Sequence, residues 1–299
     1  MNLNDHSRYV SITMEFRCNL KCTHCMIEGT MDWLKPATDK SFEALLDEQQ
    51  KSSQWDGLIL TGSEITLRQD LPDLAKRAKR AGFRHIRIQT HGMHLSRPGY
   101  LDLLMDAGID EFFVSFAGHN AETHDSVTKV TRSFDKMMQG LLLIEKSPKP
   151  AKIITNTVVT AETYLSLDKI VETCAPFTKV VQHEFWNYFP MKDVDDKLLI
   201  VDFSTLMPKI MDAIEATQRL KRGVEVKNIP QCLLGKFDRA LINQQPTLLI
   251  DPEFWKEFDK NGFHKCAFRS DCKSPECLGL TDAYIKRFGW EREVLSPIR

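Results

Sequence analysis

Between Arg8 and about His183, short β-type runs alternate with amphipathic helical stretches, and that alternation restricts the fold more than any other feature of the 299 residues. Runs rich in branched and aromatic residues read as strands at Tyr9–Met14, Gly57–Leu60, His85–Gln89, Glu111–Ser115, Ile153–Val159 and Val180–Glu184. Apolar residues at helical spacing predict helices near Ser41–Ser53, Leu71–Ala81, Gly99–Ala107, Ser133–Lys146 and Tyr164–Thr173. Gly82 and Gly108 stop helices by relieving a left-handed turn, and Ser147-Pro148-Lys149-Pro150 cannot continue the one from Ser133. Strands separated by helices pair in parallel through right-handed crossovers. Six such units predict an α/β fold, a partial (β/α)6 barrel short of the closed eightfold form. After Trp186 the rhythm changes. Val201–Arg222 reads as one long helix that Pro208 should kink or divide, and Val224–Lys227 as a short strand leading to Cys232. The loop Pro190–Asp196 is the predicted boundary between a barrel over residues 1–190 and a small cysteine-rich extension over residues 197–299.

Charge and cysteine usage narrow the chemistry. Lys and Arg number 40 against 41 Asp and Glu, so no basic excess points to nucleic acid, and none is expected as a partner. No apolar run approaches the roughly 18 residues of a membrane span, and Met1–Val10 lacks the apolar stretch of a signal peptide. The expected setting is therefore the cytoplasm, without a membrane partner. In that reducing compartment eight cysteines point to metal or redox chemistry rather than disulfides. Cys174 stands alone and reads as a small buried hydrophobe. The other seven fall into two groups, one at Cys18, Cys22 and Cys25, the other at Cys232, Cys266, Cys272 and Cys277.

The first group has the spacing C-x3-C-x2-C directly after the first strand. Three thiolates suit iron and leave one iron of a cubane open, whereas structural zinc usually takes four protein ligands. Spacing alone keeps zinc as a rival. The wider run Cys18-Asn19-Leu20-Lys21-Cys22-Thr23-His24-Cys25, however, resembles the signature of the radical S-adenosylmethionine (SAM) superfamily. The resemblance implies a partial barrel with a [4Fe–4S] cluster in the loop after strand one, at the carboxyl ends where barrel active sites lie. It implies that SAM chelates the open iron and is cleaved by one electron to a 5′-deoxyadenosyl radical, which abstracts a substrate hydrogen. Thr61-Gly62-Ser63-Glu64-Ile65-Thr66-Leu67 is similar to the family's GGEPTL loop, which implies that Gly62, Ser63 and Glu64 hold the methionine ammonium of SAM, with Glu64 as the acceptor. Ser63 and Ile65 depart from that pattern. Gln89-Thr90-His91-Gly92 resembles the ending of the family's fourth strand, with His91 where Asn is common. Ser115-Phe116-Ala117-Gly118 resembles SxDG without its Asp. By the same resemblance Ser115 lies near the SAM ribose, and Asn156, with Thr157, near the adenosine.

The second group, with four thiolates and no matching histidine, suits zinc or a second [4Fe–4S] cluster. Its setting, ending around Gly279, Tyr284 and Gly289, resembles the auxiliary-cluster extension of SPASM and twitch radical SAM proteins. The cysteines suffice for one auxiliary cluster, which fits the shorter twitch type. The aromatic run Phe185–Phe189 either lines a substrate pocket or packs a domain interface. The resemblance thus implies two clusters, SAM, and an electron donor such as flavodoxin or ferredoxin. The expected substrate is first a peptide or protein side chain, although no leader-peptide-binding domain is visible in 299 residues. The alternative is a small-molecule dehydrogenase or cyclase of natural-product or cofactor synthesis. A non-catalytic zinc or iron–sulfur module is the rival from another class.

Overall fold

A computed structural model describes residues 5–29 and 32–299, so residues 1–4 of the stretch read for a signal peptide lie outside the described residues. Alternation along the chain yields β1 (Tyr9–Glu15), α1 (Asp39–Ser52), β2 (Gly57–Gly62), α2 (Leu71–Arg80), β3 (His85–Thr90), α3 (Tyr100–Asp106), β4 (Glu111–Ser115), α4 (Ala121–Thr128) and α5 (Ser133–Lys146). There follow β5 (Lys152–Val159), α6 (Leu167–Cys174), β6 (Val180–Asn187), α7 (Phe203–Arg219), β7 (Gly223–Lys227), β8 (Thr247–Leu249), α8 (Glu253–Phe258) and α9 (Asp282–Phe288). The local causes are ordinary ones. The Thr38 hydroxyl caps α1 by accepting from the Ser41 amide at 3.1 Å, and Phe42, Leu45, Leu46 and Gln49 form the buried face. Asn120 caps α4 in the same way, at 2.9 Å from the Thr123 amide.

The strands make one sheet in the order β7-β6-β5-β4-β3-β2-β1-β8, every neighbour parallel. The sheet is a curled half-barrel, and it exceeds the six strands expected. β7 pairs with β6 and β8 pairs with β1, so strand pairing runs across the boundary expected at Pro190–Asp196. β8 escaped the sequence reading because it has only three residues, all exposed. Between the two edge strands, Lys227 donates to the carbonyls of Ile242 (2.6 Å) and Gln244 (3.4 Å), and a bridge joins Val226 to Leu241. The chain leaving β7 thereby spans the open side of the barrel before it forms β8. Pro208 does not divide α7, which is continuous from Phe203 to Arg219. The hydrogen bond it forfeits would go to Ser204, which is exposed near the helix start, while Leu206, Met207 and Ile210 stay buried.

Two cores hold the layers. Val10, Ile12 and Met14 of β1 pack with Phe42, Leu58 and Leu60 beneath the helices, and α7 packs on β6 and β7 with Leu280 and Tyr284 from the C-terminal segment. Tyr284 stacks on Phe203 at 4.6 Å, accepts from the Phe203 amide at 2.9 Å and donates to Glu291 at 2.6 Å. It therefore docks the extension on the start of α7.

One close approach shapes the mouth of the barrel. The β1–β2 register slips between Thr13 and Glu15, and a Cβ on Gly62 would lie 2.0 Å from the Glu15 carbonyl oxygen. Backbone is on both sides, so Gly62→Ala is expected to cost roughly 3 kcal/mol, read as a lowered melting temperature. Unchanged melting would show that the strand ends can part freely.

Candidate active site

The loop leaving β1 carries Cys18, Cys22 and Cys25, and its backbone is fastened to the rest of the fold by contacts that involve no sulfur. Lys21 and Thr23 donate to the carbonyls of Thr128 and Val127 at the end of α4 (3.1 and 3.0 Å), and Lys197 donates to the Thr23 carbonyl at 2.8 Å. The Leu20 amide donates to Cys18 Sγ at 3.4 Å. The three thiols are close enough to perturb one another. Burial pushes Cys18 up to about 11, and burial with the neighbouring Cys18 and Cys25 pushes Cys22 up to about 12. Burial raises Cys25 as well. The bare loop thus holds thiols at neutral pH, and a metal that binds thiolate must displace their protons.

These cysteines open on a cavity of about 440 Å³, a size typical of ligand sites. Its wall brings them together with Gly62 and Ser63 from the end of β2, Ser115 from the end of β4, and Asn156 from β5. His24, His91, His124 and the aromatic residues Trp186, Tyr188 and Phe189 also line it, so the Phe185–Phe189 run does face a pocket with three of its members. Two buried nitrogens on this wall, His24 Nδ1 and Asn156 Nδ2, have no hydrogen-bond partner among the described residues. A buried polar atom without a partner is costly.

Glu64 departs from its expected place. It is fully buried and does not line the cavity. Its Oε1 accepts from the Thr66 amide (3.0 Å) and the Thr90 hydroxyl (2.7 Å), and its Oε2 from the His91 amide (2.8 Å). That carboxylate ties the β2 loop to the end of β3, and Gly62 and Ser63 line the cavity beside it, with the Ser63 amide donating to the Glu15 carbonyl. Sequence could not show this, because a carboxylate suited to an ammonium is equally suited to inward amides. Glu64→Ala should therefore destabilise the apoprotein by about 2–5 kcal/mol. If Glu64 were only a ligand for SAM, apoprotein melting would not move.

Two further histidines are set by their neighbours. His91 Nδ1 accepts from the Met93 amide at 3.2 Å, so Nε2 carries the proton and donates to Asn19 Oδ1 at 2.7 Å, linking β3 to the cysteine loop. His124 Nδ1 accepts from the Ala117 amide at 3.2 Å, and burial pushes its pKa down to about 4. Both rings are neutral at physiological pH, because burial lowers His91 too.

The second cysteine group also assembles. Cys232, on the turn after β7, is raised by burial and then by Cys277, Cys266 and Cys272 beside it. The Phe268, Gly279 and Ile298 amides each donate to a sulfur at 3.4 Å, on Cys266, Cys277 and Cys272 respectively. In Cys18, Cys266 and Cys277 the donor is the amide two residues on, a turn that presents sulfur with an N–H behind it. Gly279 has φ +65°, and a Cβ there would meet the Lys265 carbonyl oxygen at 2.7 Å, so the turn after Cys277 requires glycine. All eight cysteines are free, and Cys174 is buried alone in the core. Among the described residues, no three His, Cys, Asp or Glu side chains gather at the span of a single metal ion.

Residues 12–174, more than half of the chain, match the family model of the Radical SAM superfamily. The chain belongs to the radical SAM superfamily. Members of this superfamily work with a [4Fe–4S] cluster and SAM. The radical SAM chain is 29% identical over 182 residues to the AdoMet-dependent heme synthase of Methanosarcina barkeri, covering 60% of this chain and 50% of that protein. It is 31% identical over 130 residues to a probable GTP 3′,8-cyclase of Saccharolobus islandicus, covering 44% of this chain and 41% of that protein. It thus spans about half the length, or less, of these curated relatives. In fold it resembles Streptococcus suis SuiB bound to the precursor peptide SuiA, with a TM-score of 0.60 at 16% identity over 79% of this chain and 52% of SuiB. No helix among the described residues is long and apolar enough to cross a membrane.

Proposed function

We propose that the chain is a radical SAM enzyme whose cluster is held by Cys18, Cys22 and Cys25 and whose SAM lies in the adjoining 440 Å³ cavity. The observation that carries this reading is the convergence of those thiols with Gly62, Ser63, Ser115 and Asn156 from separate strand ends on one wall. Three thiols and no fourth cysteine in the loop fit a cubane with one open iron. When bound, the cluster and SAM supply the one-electron cleavage that yields a 5′-deoxyadenosyl radical. The chain's own work is placement. Glu64 holds the β2 loop so that Gly62 and Ser63 face the methionine end of SAM, and Ser115 and Asn156 take its ribose and adenosine. Neutral His91 and His124 keep the wall free of added charge. Trp186, Tyr188 and Phe189 exclude water from the radical. A flavodoxin or ferredoxin would bring the electron.

Cys232, Cys266, Cys272 and Cys277 belong, in this reading, to one auxiliary [4Fe–4S] cluster of the twitch type. Four neighbouring thiols with backbone amides aimed at sulfur support it, since such amides tune iron–sulfur clusters. The extension that holds them is best drawn from Asn228 onward, with β8 returned to the barrel sheet.

The substrate reading shifts toward the second of the two expected from sequence, a small molecule in natural-product or cofactor synthesis. The barrel interior beside the SAM cavity is a small chamber whose wall carries Arg87 and Lys227, and the curated relatives above are named for heme and GTP chemistry. The peptide-side-chain reading rests on likeness of fold alone, to SuiB with its precursor peptide and to anSMEcpe with a bound Cp18Cys peptide. Anaerobic reconstitution, reduction and SAM addition should release 5′-deoxyadenosine. Reconstituted protein that binds iron yet never cleaves SAM would favour the non-catalytic module.

A further inference from the structure

A second chamber of about 250 Å³, with charged groups set in a largely apolar wall, lies inside the barrel and adjoins the SAM cavity, sharing Gly62, Gln89, Phe113 and Trp186 as wall. Its charged lining is uneven. Arg87 and Lys227 face it, while their carboxylate partners Glu111 and Glu225 stand behind the wall. Arg87 is 3% exposed, and its Nε donates to Glu111 at 3.0 Å. Arg87 Nη2 sits 2.9 Å from the same oxygen yet is buried with no hydrogen bond. The one carboxyl on the wall, Glu184, accepts from Gln182 at 2.9 Å and Trp186 at 2.8 Å. It also lies directly across the strand from Glu225. Burial and then Glu225 push Glu184 toward its neutral form, whereas His6 and Lys227 outweigh burial and keep Glu225 ionised. On an otherwise largely apolar wall the donors are therefore the Arg87 guanidinium, the hydroxyls of Ser11 and Thr13, and the Lys227 ammonium, which also holds the Ile242 and Gln244 carbonyls and Glu225.

We propose that this chamber binds the anionic group of the substrate, a carboxylate or a phosphate, with Arg87 as its principal partner. The inference rests on the radical SAM reading and names its substrate class. At 250 Å³ the chamber is just below the roughly 300–1,000 Å³ of drug-sized sites, so it takes a small acid or the anionic end of a larger molecule. An anion on Arg87 would orient the remainder of the molecule past Gln89 and Trp186 toward the SAM cavity. The acidic partners behind the wall keep the cations charged and in place when the chamber is empty of anion.

The test uses reconstituted protein with succinate and inorganic phosphate as probes, against sodium chloride at equal ionic strength. Either probe should raise the melting temperature, and the one that does identifies carboxylate or phosphate as the natural group. Arg87→Gln should weaken that probe on the order of ten- to a hundredfold, and Arg87→Lys should recover part of it. SAM affinity should be the same in both variants. Hydrogen exchange on the unaltered protein needs no variant to fold: the effective probe should slow exchange in β3 and β7 and leave α1 unchanged. If neither probe stabilises or protects the unaltered protein, or if Arg87→Gln binds as well as the parent, the chamber is not an anion site. SAM cleavage is read separately, so its failure would sink the enzymatic reading and leave the anion result standing.

Discussion

Replacing Cys18, Cys22 and Cys25 together with Ala should abolish 5′-deoxyadenosine release and lower iron from about eight to about four per chain. The loss should be complete because no further cysteine lies on the loop, and His24, between two of the thiols, cannot replace three ligands. The change should not act through unfolding. The loop is held by the Lys21 and Thr23 amides on α4 and by Lys197, contacts that involve no sulfur. Apoprotein of the triple variant should accordingly melt within about 1 kcal/mol of the parent. Measured together, iron, 5′-deoxyadenosine and melting separate loss of the cluster from loss of the fold. SAM cleavage that survives in the triple variant would remove the cluster from these residues.

The second large effect is expected at the other cysteine group. Cys272→Ala, made in the triple variant, should remove most of the remaining four irons or so and speed proteolysis from Cys232 onward. The chain's last residues thread through this site: Ile298 donates to Cys272 Sγ at 3.4 Å, Lys273 donates to the Ile298 carbonyl at 2.8 Å, and the Ser296 backbone reaches Cys232. Between Gly262 and Gly279 no residue is buried, so little apolar burial orders that stretch. Metal binding then supplies much of the free energy that orders it. Tyr284, stacked on Phe203, should keep α9 docked, and cleavage should concentrate between Cys266 and Cys277. The first cluster should still assemble when Cys272→Ala is made in the parent. Stoichiometric zinc without iron in the triple variant would make the second site structural zinc and end the auxiliary-cluster proposal.

Much of this was legible along the chain. Six strands and five helices lie where periodicity puts them, because local spacing of apolar residues reflects which face each element buries. The C-x3-C-x2-C run was legible too, since a cluster loop needs its thiols close in sequence and just past a strand. The four C-terminal cysteines were recognisable as a group, and their assembly depends on a turn that only glycine permits at position 279.

What the sequence determined by itself, then, was the order of βα units, the radical SAM signature and the cysteines available for metal. Tertiary structure alone decided which way the remaining groups point. Arg87 and Gln89 alternate with Ile86 and Ile88, as Ser11 and Thr13 do with Val10 and Ile12, and such alternation along a single strand reads the same whether its polar face meets water or a barrel interior. Curling of the sheet turned that face inward and buried Arg87, Glu184, Glu225 and Lys227 together. Likewise Glu64 offers the same carboxylate to a cofactor or to backbone amides, and the approach of β3 committed it to Thr90 and His91. β8, too short to carry a pattern of its own, became a strand because β1 left an edge for it. In each case the deciding partner is distant in sequence, and nothing in a residue's own neighbourhood encodes it.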